Sequence, residues 1–294
     1  MLGAGDKRPM FSGGSRKRNV YLLAVLWIFF TPYPSPLTLD AWAAESLIIA
    51  ASPGLARPIE ALSRRFESTH PQVRVRVSYD SALSLRQTIA TVENRGPYFI
   101  GTGPIHLIAP GGDELIARLQ QKYYVLPGTT TTYASVPLAL VVPESLVDAP
   151  ASFEAAARDT RIRIAIADPE LTALGQETIR FLEAASWGRN LTGRLDIAAD
   201  AAGVLDHLLN GKADVAIVSG PDAAREQERV RVIDVASGSA GSIKVHSMAM
   251  ERTCPNRALC REFLEWIRTA EAQAVLRGLG YGPPPHGRAD AAAH

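Results

Sequence analysis

Little in this 294-residue chain is in excess. It has two cysteines, too few for a fold held by a disulfide framework. Its 31 Lys and Arg balance 30 Asp and Glu, a formal net charge of +1. No basic surplus is available to neutralise phosphates, which argues against a nucleic-acid binder. Internal repeats and low-complexity tracts are absent. At 47% hydrophobic and 21% charged residues, the composition fits neither a disordered chain nor a coiled coil. Nothing after residue 44 is apolar enough to span a bilayer. The chain lacks a P-loop, a GxGxxG turn after a strand and a GxSxG elbow. The six histidines never pair at metal-ligand spacing. These absences disfavour an enzyme, and no catalytic residue, metal ligand or cofactor is implied.

What is present begins with a leader. Lys7, Arg8, Arg16, Lys17 and Arg18 are followed by an apolar run, Val20 to Phe30, and then by Ala41-Trp42-Ala43. Basic, apolar and small-x-small in that order read as a secretory signal peptide over residues 1–44, cleaved near Ala43 or Ala44. An uncleaved anchor stays open as the rival reading. Without those residues 26 basic face 28 acidic side chains, a net charge of −2. Export to an oxidising compartment would permit a Cys254–Cys260 bridge. Inside one helix the two would lie about 9 Å apart, too far to bond. A bridge therefore needs Cys254 outside the helix, and Pro255 is a natural helix start. Two buried thiols are the other reading.

Beyond the leader, apolar runs alternate with helical stripes. Strands are expected at 46–51, 73–77, 105–109, 138–142, 162–166, 215–218, 230–235 and 243–250. Between them come helices at 83–92, 114–121, 153–157 (capped by Ser152) and 174–185, and one after Asp200. A first helix carries Leu55, Ile59, Leu62 and Phe66; Pro58 makes it start near Arg57. Two closing helices span 259–267 and 271–279. The alternation predicts α/β architecture with mostly parallel sheets, and the number of units suggests two lobes. His207 reads as exposed and His246 as a structural strand residue. Asp168-Pro169-Glu170 reads as a turn entering a helix rather than as a catalytic carboxylate pair.

Small residues gather where strands hand over to helices: Ala51-Ser52, Asp80-Ser81-Ala82, Thr172 to Gly175, Asp200 to Gly203 and Ser219-Gly220. In an open α/β sheet such turns collect at the strands' carboxyl ends, where ligands bind. Helix N-termini there offer free N–H groups and partial positive charge, an anion site without Lys or Arg. Any one of these turns alone is ordinary capping chemistry.

From Leu47 to about Pro284 the chain resembles the periplasmic molybdate-binding proteins of ABC transporters (type II periplasmic solute-binding proteins). The likeness runs through LIIAAS, RRFESTHPQVRVRVSYDSALSLRQTI, YVLPGTT, LALVVP, RIAIADPELTALGQETIRFLEAA, AADAAGVLDHLLNGKADVAIVSG and AQAVLRGLGYGPP. The resemblance implies two α/β lobes joined by hinge strands, with lobe 1 over 45–133 and 245–284 and lobe 2 over 134–244; the stretch 285–294, PHGRADAAAH, reads from its composition as a disordered tail. The resemblance implies that the C-terminal helices return to the first lobe. It also implies a monomer that captures a tetrahedral oxyanion, with molybdate or tungstate the first guess, for an ABC permease and its cytoplasmic ATPase.

Carried over position by position, the ligand set becomes Ser52, Ser81, Ala82, Leu174, Ala201 and Ser219. Three positions depart from the family pattern. Ala82 has no hydroxyl, Ser219 replaces a tyrosine, and His106 stands where the family has an aspartate. Losing two hydroxyls to a buried charged acceptor, at about 1.5–3 kcal/mol each, would weaken binding by roughly two to four decades unless something compensates. An organic anion or another small solute is therefore the second expectation. An exported hydrolase or a sensing domain is the third.

Overall fold

The computed structural model describes residues 45–80, 105–111, 113–191, 193–237 and 241–285. The leader, the expected helix at 83–92, Ser81, Ala82 and residues 286–294 of the expected tail lie outside them.

Strand β1 (Glu45–Ala51) pairs in parallel with β2 (Val73–Tyr79) and β3 (Leu107–Ala109). Helix α1 (Ala56–Thr69) follows β1 after a 3-10 turn, Pro53–Leu55. Its start is within one residue of the position Pro58 predicts, because proline is tolerated in the first turn but not beyond it. Ile59, Leu62 and Phe66 of α1, with Leu55 from the preceding turn, are at most 2% exposed, each such burial contributing about 1.5–3 kcal/mol. Phe66 sits edge-on to Phe263 and Trp266, with ring centroids 4.9 and 5.1 Å away. Helix α2 (Asp113–Gln121) comes after β3.

The long strand β4 (Thr131–Pro143) has two different partners along its length. Its first half, Thr131 to Pro137, runs antiparallel to β9 (Ser242–Met250). Its second half, from Leu138, runs antiparallel to β7 (Val215–Ser219) and β8 (Val230–Val235). Strand β5 (Ile164–Ala167) lies parallel to both β7 and β6 (Leu195–Ala198). Helices α3 (Phe153–Arg158), α4 (Ala173–Ala184), α5 (Ala201–Leu209) and α6 (Gly220–Arg225) intervene, and α7 (Arg257–Trp266) and α8 (Ala270–Gly278) close the chain. The sheet order is β2-β1-β3-β9-β4-β7-β5-β6, with β8 beside β4.

The flanks of this sheet are parallel, as the alternation predicts. Its middle is antiparallel, because β4 and β9 run through both halves. The fold is α/β, a mixed sheet with a separate apolar core on each flank. One apolar core joins β1, β2, β3 and α1 to α7 and α8, so the C-terminal helices do pack on the N-terminal half. A second core joins the far half of β4 to β5, β7 and helices α3 to α5. Three elements depart from expectation. β4 begins seven residues earlier than the run 138–142 indicates, β6 was not anticipated, and neither was α6. Among the described residues no helix is long and apolar enough to cross a membrane.

Candidate functional site

The register of the hinge strands decides which loops meet. Leu107 pairs with Met250 and Ile108 with Ala249, so β3 points its carboxyl end toward the middle of β9. Leu138 pairs with Ser219 and Val141 with Ala216, so β7 ends at the middle of β4. The carboxyl ends of both parallel flanks therefore face one another across the central β4–β9 ladder. This is where an open α/β fold places its ligand.

On the first side, Ser52 directly follows β1. Its N–H donates to the Ala109 carbonyl at 3.0 Å and its Oγ donates to the Pro110 carbonyl at 2.6 Å. Gly111 adopts a left-handed φ of +82°, and a Cβ there would lie 3.4 Å from the Ser52 Cβ. The Asp80 N–H donates to the Ala51 carbonyl at 2.9 Å, which brings the end of β2 beside Ser52.

On the second side, two helices start at neighbouring strand ends. The Asp168 N–H donates to the Ala198 carbonyl at 2.8 Å, which ties the ends of β5 and β6 together. The Asp168 carboxylate accepts the N–H groups of Glu170 and Leu171 at 2.7 and 3.3 Å, as expected for a turn entering a helix. Thr172 caps α4, its Oγ1 accepting the Gly175 N–H at 2.9 Å. The Gln176 N–H reaches the Thr172 carbonyl, which leaves the amides of Ala173 and Leu174 without an intrahelical acceptor. Asp200 caps α5 in the same way through Gly203, at 2.9 Å, leaving the amides of Ala201 and Ala202. Gly175 is required for this arrangement, since a Cβ there would lie 2.3 Å from the Ala167 carbonyl oxygen.

Ser219 caps α6 and is 7% exposed. Its Oγ accepts the Asp222 N–H at 3.1 Å and donates its own proton to Asp222 Oδ2 at 2.5 Å. The other carboxylate oxygen of Asp222 pairs with Arg225. Asp222 was not among the expected residues. The Ser-x-x-Asp spacing from Ser219 is a capping-box signature that could have found it.

The structure thus places Ser52, Leu174, Ala201 and Ser219 at facing strand ends. Leu174 and Ala201 offer amides there, whereas both serine hydroxyls are directed at protein acceptors.

The singled-out histidines and cysteines among the described residues make contacts within the protein. His106, in the aspartate position, is buried, and its Nδ1 accepts the Ile48 N–H at 3.2 Å. His207 is half-buried rather than exposed, because its Nδ1 lies 2.6 Å from Asp196 Oδ2 on β6. His246, on β9, is 3% exposed, with its ring between Tyr133 and Tyr281. Burial lowers its pKa to about 4; Lys244 adds to the shift, and a hydrogen bond to the Gly111 backbone opposes it. Cys254 and Cys260 are buried free thiols in contact with each other, and Cys260 Sγ also donates to the His106 carbonyl at 3.7 Å. Helix α7 starts two residues after Pro255, at Arg257 with Asn256 as its cap, so Cys254 does stand outside it. Among the described residues no three His, Cys, Asp or Glu side chains are grouped to hold a metal ion.

Comparison with known proteins agrees with this architecture. The substrate-binding domain of a proposed molybdenum ABC transporter from Clostridium difficile superposes with a TM-score of 0.67 at 20% identity, covering 81% of this chain and 98% of that one. Iron-bound HitA from Pseudomonas aeruginosa gives 0.52 at 14%, covering 83% and 87%. The Trichodesmium protein IdiA (FutA), in complex with iron and citrate, gives 0.55 at 13%, covering 82% and 87%. These likenesses show the shared fold. No curated protein matches the chain in sequence. The family of bacterial extracellular solute-binding proteins matches residues 47–282, and the chain belongs to that family.

Proposed function

We propose that the protein is the exported solute-binding component of an ABC transporter and captures a small tetrahedral oxyanion, molybdate or tungstate first. The observation that carries this reading is the pair of helix starts at the ends of β5 and β6. There the amides of Ala173, Leu174, Ala201 and Ala202 are left over by their own helices. Fixed neutral donors of this kind hold an oxyanion without a lysine or arginine. The proposed molybdenum transporter domain from Clostridium difficile lends support as a relative in fold. In this reading the Ser81-Ala82 turn and Ser52, its hydroxyl turning from the Pro110 carbonyl to the ligand, contribute from one lobe (45–133 and 245–284), and Leu174, Ala201 and, once its hydroxyl turns from Asp222, Ser219 from the other (134–244). Lobe closure presents the loaded form to a permease driven by a cytoplasmic ATPase, and no bond is made or broken. The leader at 1–44 directs export, and the mature protein acts as a monomer.

A second reading, an organic anion or another small solute, is favoured by one observation. The Ser219 hydroxyl is spent on a carboxylate, which leaves one donor fewer for a small tetrahedral oxyanion than the family pattern has. Isothermal titration with molybdate, tungstate, sulfate and phosphate separates the two readings. Heat with molybdate or tungstate is expected. No heat with any of the four rejects the oxyanion. A thermal-shift gain with organic anions alone would then support the second reading.

A further inference from the structure

A buried phenol stands between the two faces described above. The C-terminal segment after α8 is pinned to β4 by a pair of backbone hydrogen bonds between Ser135 and Gly282, at 3.0 and 2.9 Å, and by Ser135 Oγ donating to the Pro283 carbonyl at 2.8 Å. One residue earlier in this segment is Tyr281. Its neighbour Gly280 packs backbone to backbone on Gly220, where a Cβ would lie 2.2 Å from the Gly280 carbonyl oxygen. Gly220 directly follows Ser219. On the opposite side the Tyr281 ring centroid lies 5.7 Å from that of His246, and His246 is hydrogen-bonded to the backbone of Gly111, which covers Ser52. Tyr281 therefore bridges the surroundings of Ser219 and of Ser52.

The charges near the phenol come from both sides as well. Asp222 and Arg225 of α6 act on it from the Ser219 side, and Arg57 of α1 acts from the Ser52 side. Tyr281 is 9% exposed, yet its hydroxyl has no hydrogen-bond partner among the described residues. A phenol proton that the described residues leave untaken is available to an acceptor on a ligand.

We propose that Tyr281 is a ligand-contacting residue whose hydroxyl supplies the donor that Ser219 spends on Asp222. The assignment rests on the oxyanion reading above. Burial raises the phenol's pKa, so it remains protonated and a donor at neutral pH. Arg225 offsets Asp222, with which it is paired, and Arg57 leaves a positive charge that favours an anion at the same point. The residue lies far along the chain from the aligned ligand positions, at the end of the segment LGYGPP.

The test compares wild type with Tyr281→Phe in calorimetric titrations with molybdate, with the tyrosine difference spectrum recorded on the same samples. Tyr281→Phe is expected to bind about tenfold more weakly, the loss of one hydrogen bond to a charged acceptor. Molybdate is expected to perturb the tyrosine absorbance of wild type and of Tyr123→Phe, which alters an exposed residue, but not that of Tyr281→Phe. Unchanged affinity in Tyr281→Phe overturns the assignment of Tyr281 and leaves the oxyanion reading standing. Should Tyr281→Phe melt lower than wild type, the wild-type spectrum decides, and an unperturbed tyrosine band overturns the assignment. Absence of heat in wild type overturns both.

Discussion

Ser219 Oγ lies 2.5 Å from Asp222 Oδ2, and its only proton points at that carboxylate. The contact removes a donor from the candidate site and leaves a negative charge beside it. Asp222→Asn removes the charge and keeps the Asp222 backbone amide that Ser219 caps. We expect molybdate affinity to rise about tenfold, in line with the worth of one charge-assisted hydrogen bond. Titration of the variant at neutral pH checks this; an equal or weaker affinity would mean that Ser219 does not face the ligand.

Gly175 seats the first turn of α4 against the end of β5, where a Cβ would lie 2.3 Å from the Ala167 carbonyl oxygen. Backbone must move to admit even a methyl group. Gly175→Ala is expected to cost about 1–3 kcal/mol, read as a lower Tm. It should also weaken oxyanion binding, because the Leu174 amide moves with the turn. A variant with wild-type Tm would show that the strand end yields freely.

His246 gives a pH dependence with a definite sign. Its folded pKa of about 4 lies below the unfolded value of about 6.5. Above pH 6.5 it is neutral in both states and the full stability is present. As pH falls from 6.5 to 4 the unfolded chain takes up a proton that the folded chain refuses, so stability declines by roughly 3 kcal/mol. Denaturant unfolding at pH 7 and pH 4.5 should show this loss in wild type and a smaller one in His246→Gln. Equal losses in the two proteins would assign the acid sensitivity to other groups.

Cys254 and Cys260 are in contact as thiols, with Cys254 in the turn before α7. Exchange with an added disulfide such as oxidised glutathione, which takes up the two thiol hydrogens, is expected to close a bridge between them. A loop this short should add about 2 kcal/mol of stability. Thiol titration in denaturant should find none free after oxidation. Two free thiols together with an unchanged Tm would count against the bridge.

Much of the fold was legible locally. The caps of α3 and α5 and the apolar face of α1 follow from spacings of three or four residues. The turn at Asp168 was equally plain, because an aspartate before proline accepts amides just ahead of it. The first half of β4 was not legible. Its sequence, TTYASVP, has neither an apolar run nor regular alternation, and it becomes a strand because β9 supplies its ladder. The side-chain contact across that ladder, Thr132 to Ser247, joins residues 115 positions apart. β6 escaped notice because it is four residues long, with Ile197 53% exposed. His207 was misplaced on the exposed face because its partner, Asp196, belongs to that unrecognised strand.

The amino-acid order alone determined the α/β alternation, the two small-residue turns that become the starts of α4 and α5, and the family resemblance. The first two depend on neighbours within one or two turns of chain, and the resemblance on the order of such segments along it. Tertiary structure alone decided that the Ser52 hydroxyl proton goes to the Pro110 carbonyl, whereas the Ser219–Asp222 contact spans only three residues of chain. It also decided that the segment carrying Tyr281 comes to lie against Gly220 and His246. A proton goes to the nearest suitable acceptor in space, and the Pro110 carbonyl stands 58 residues from Ser52 along the chain.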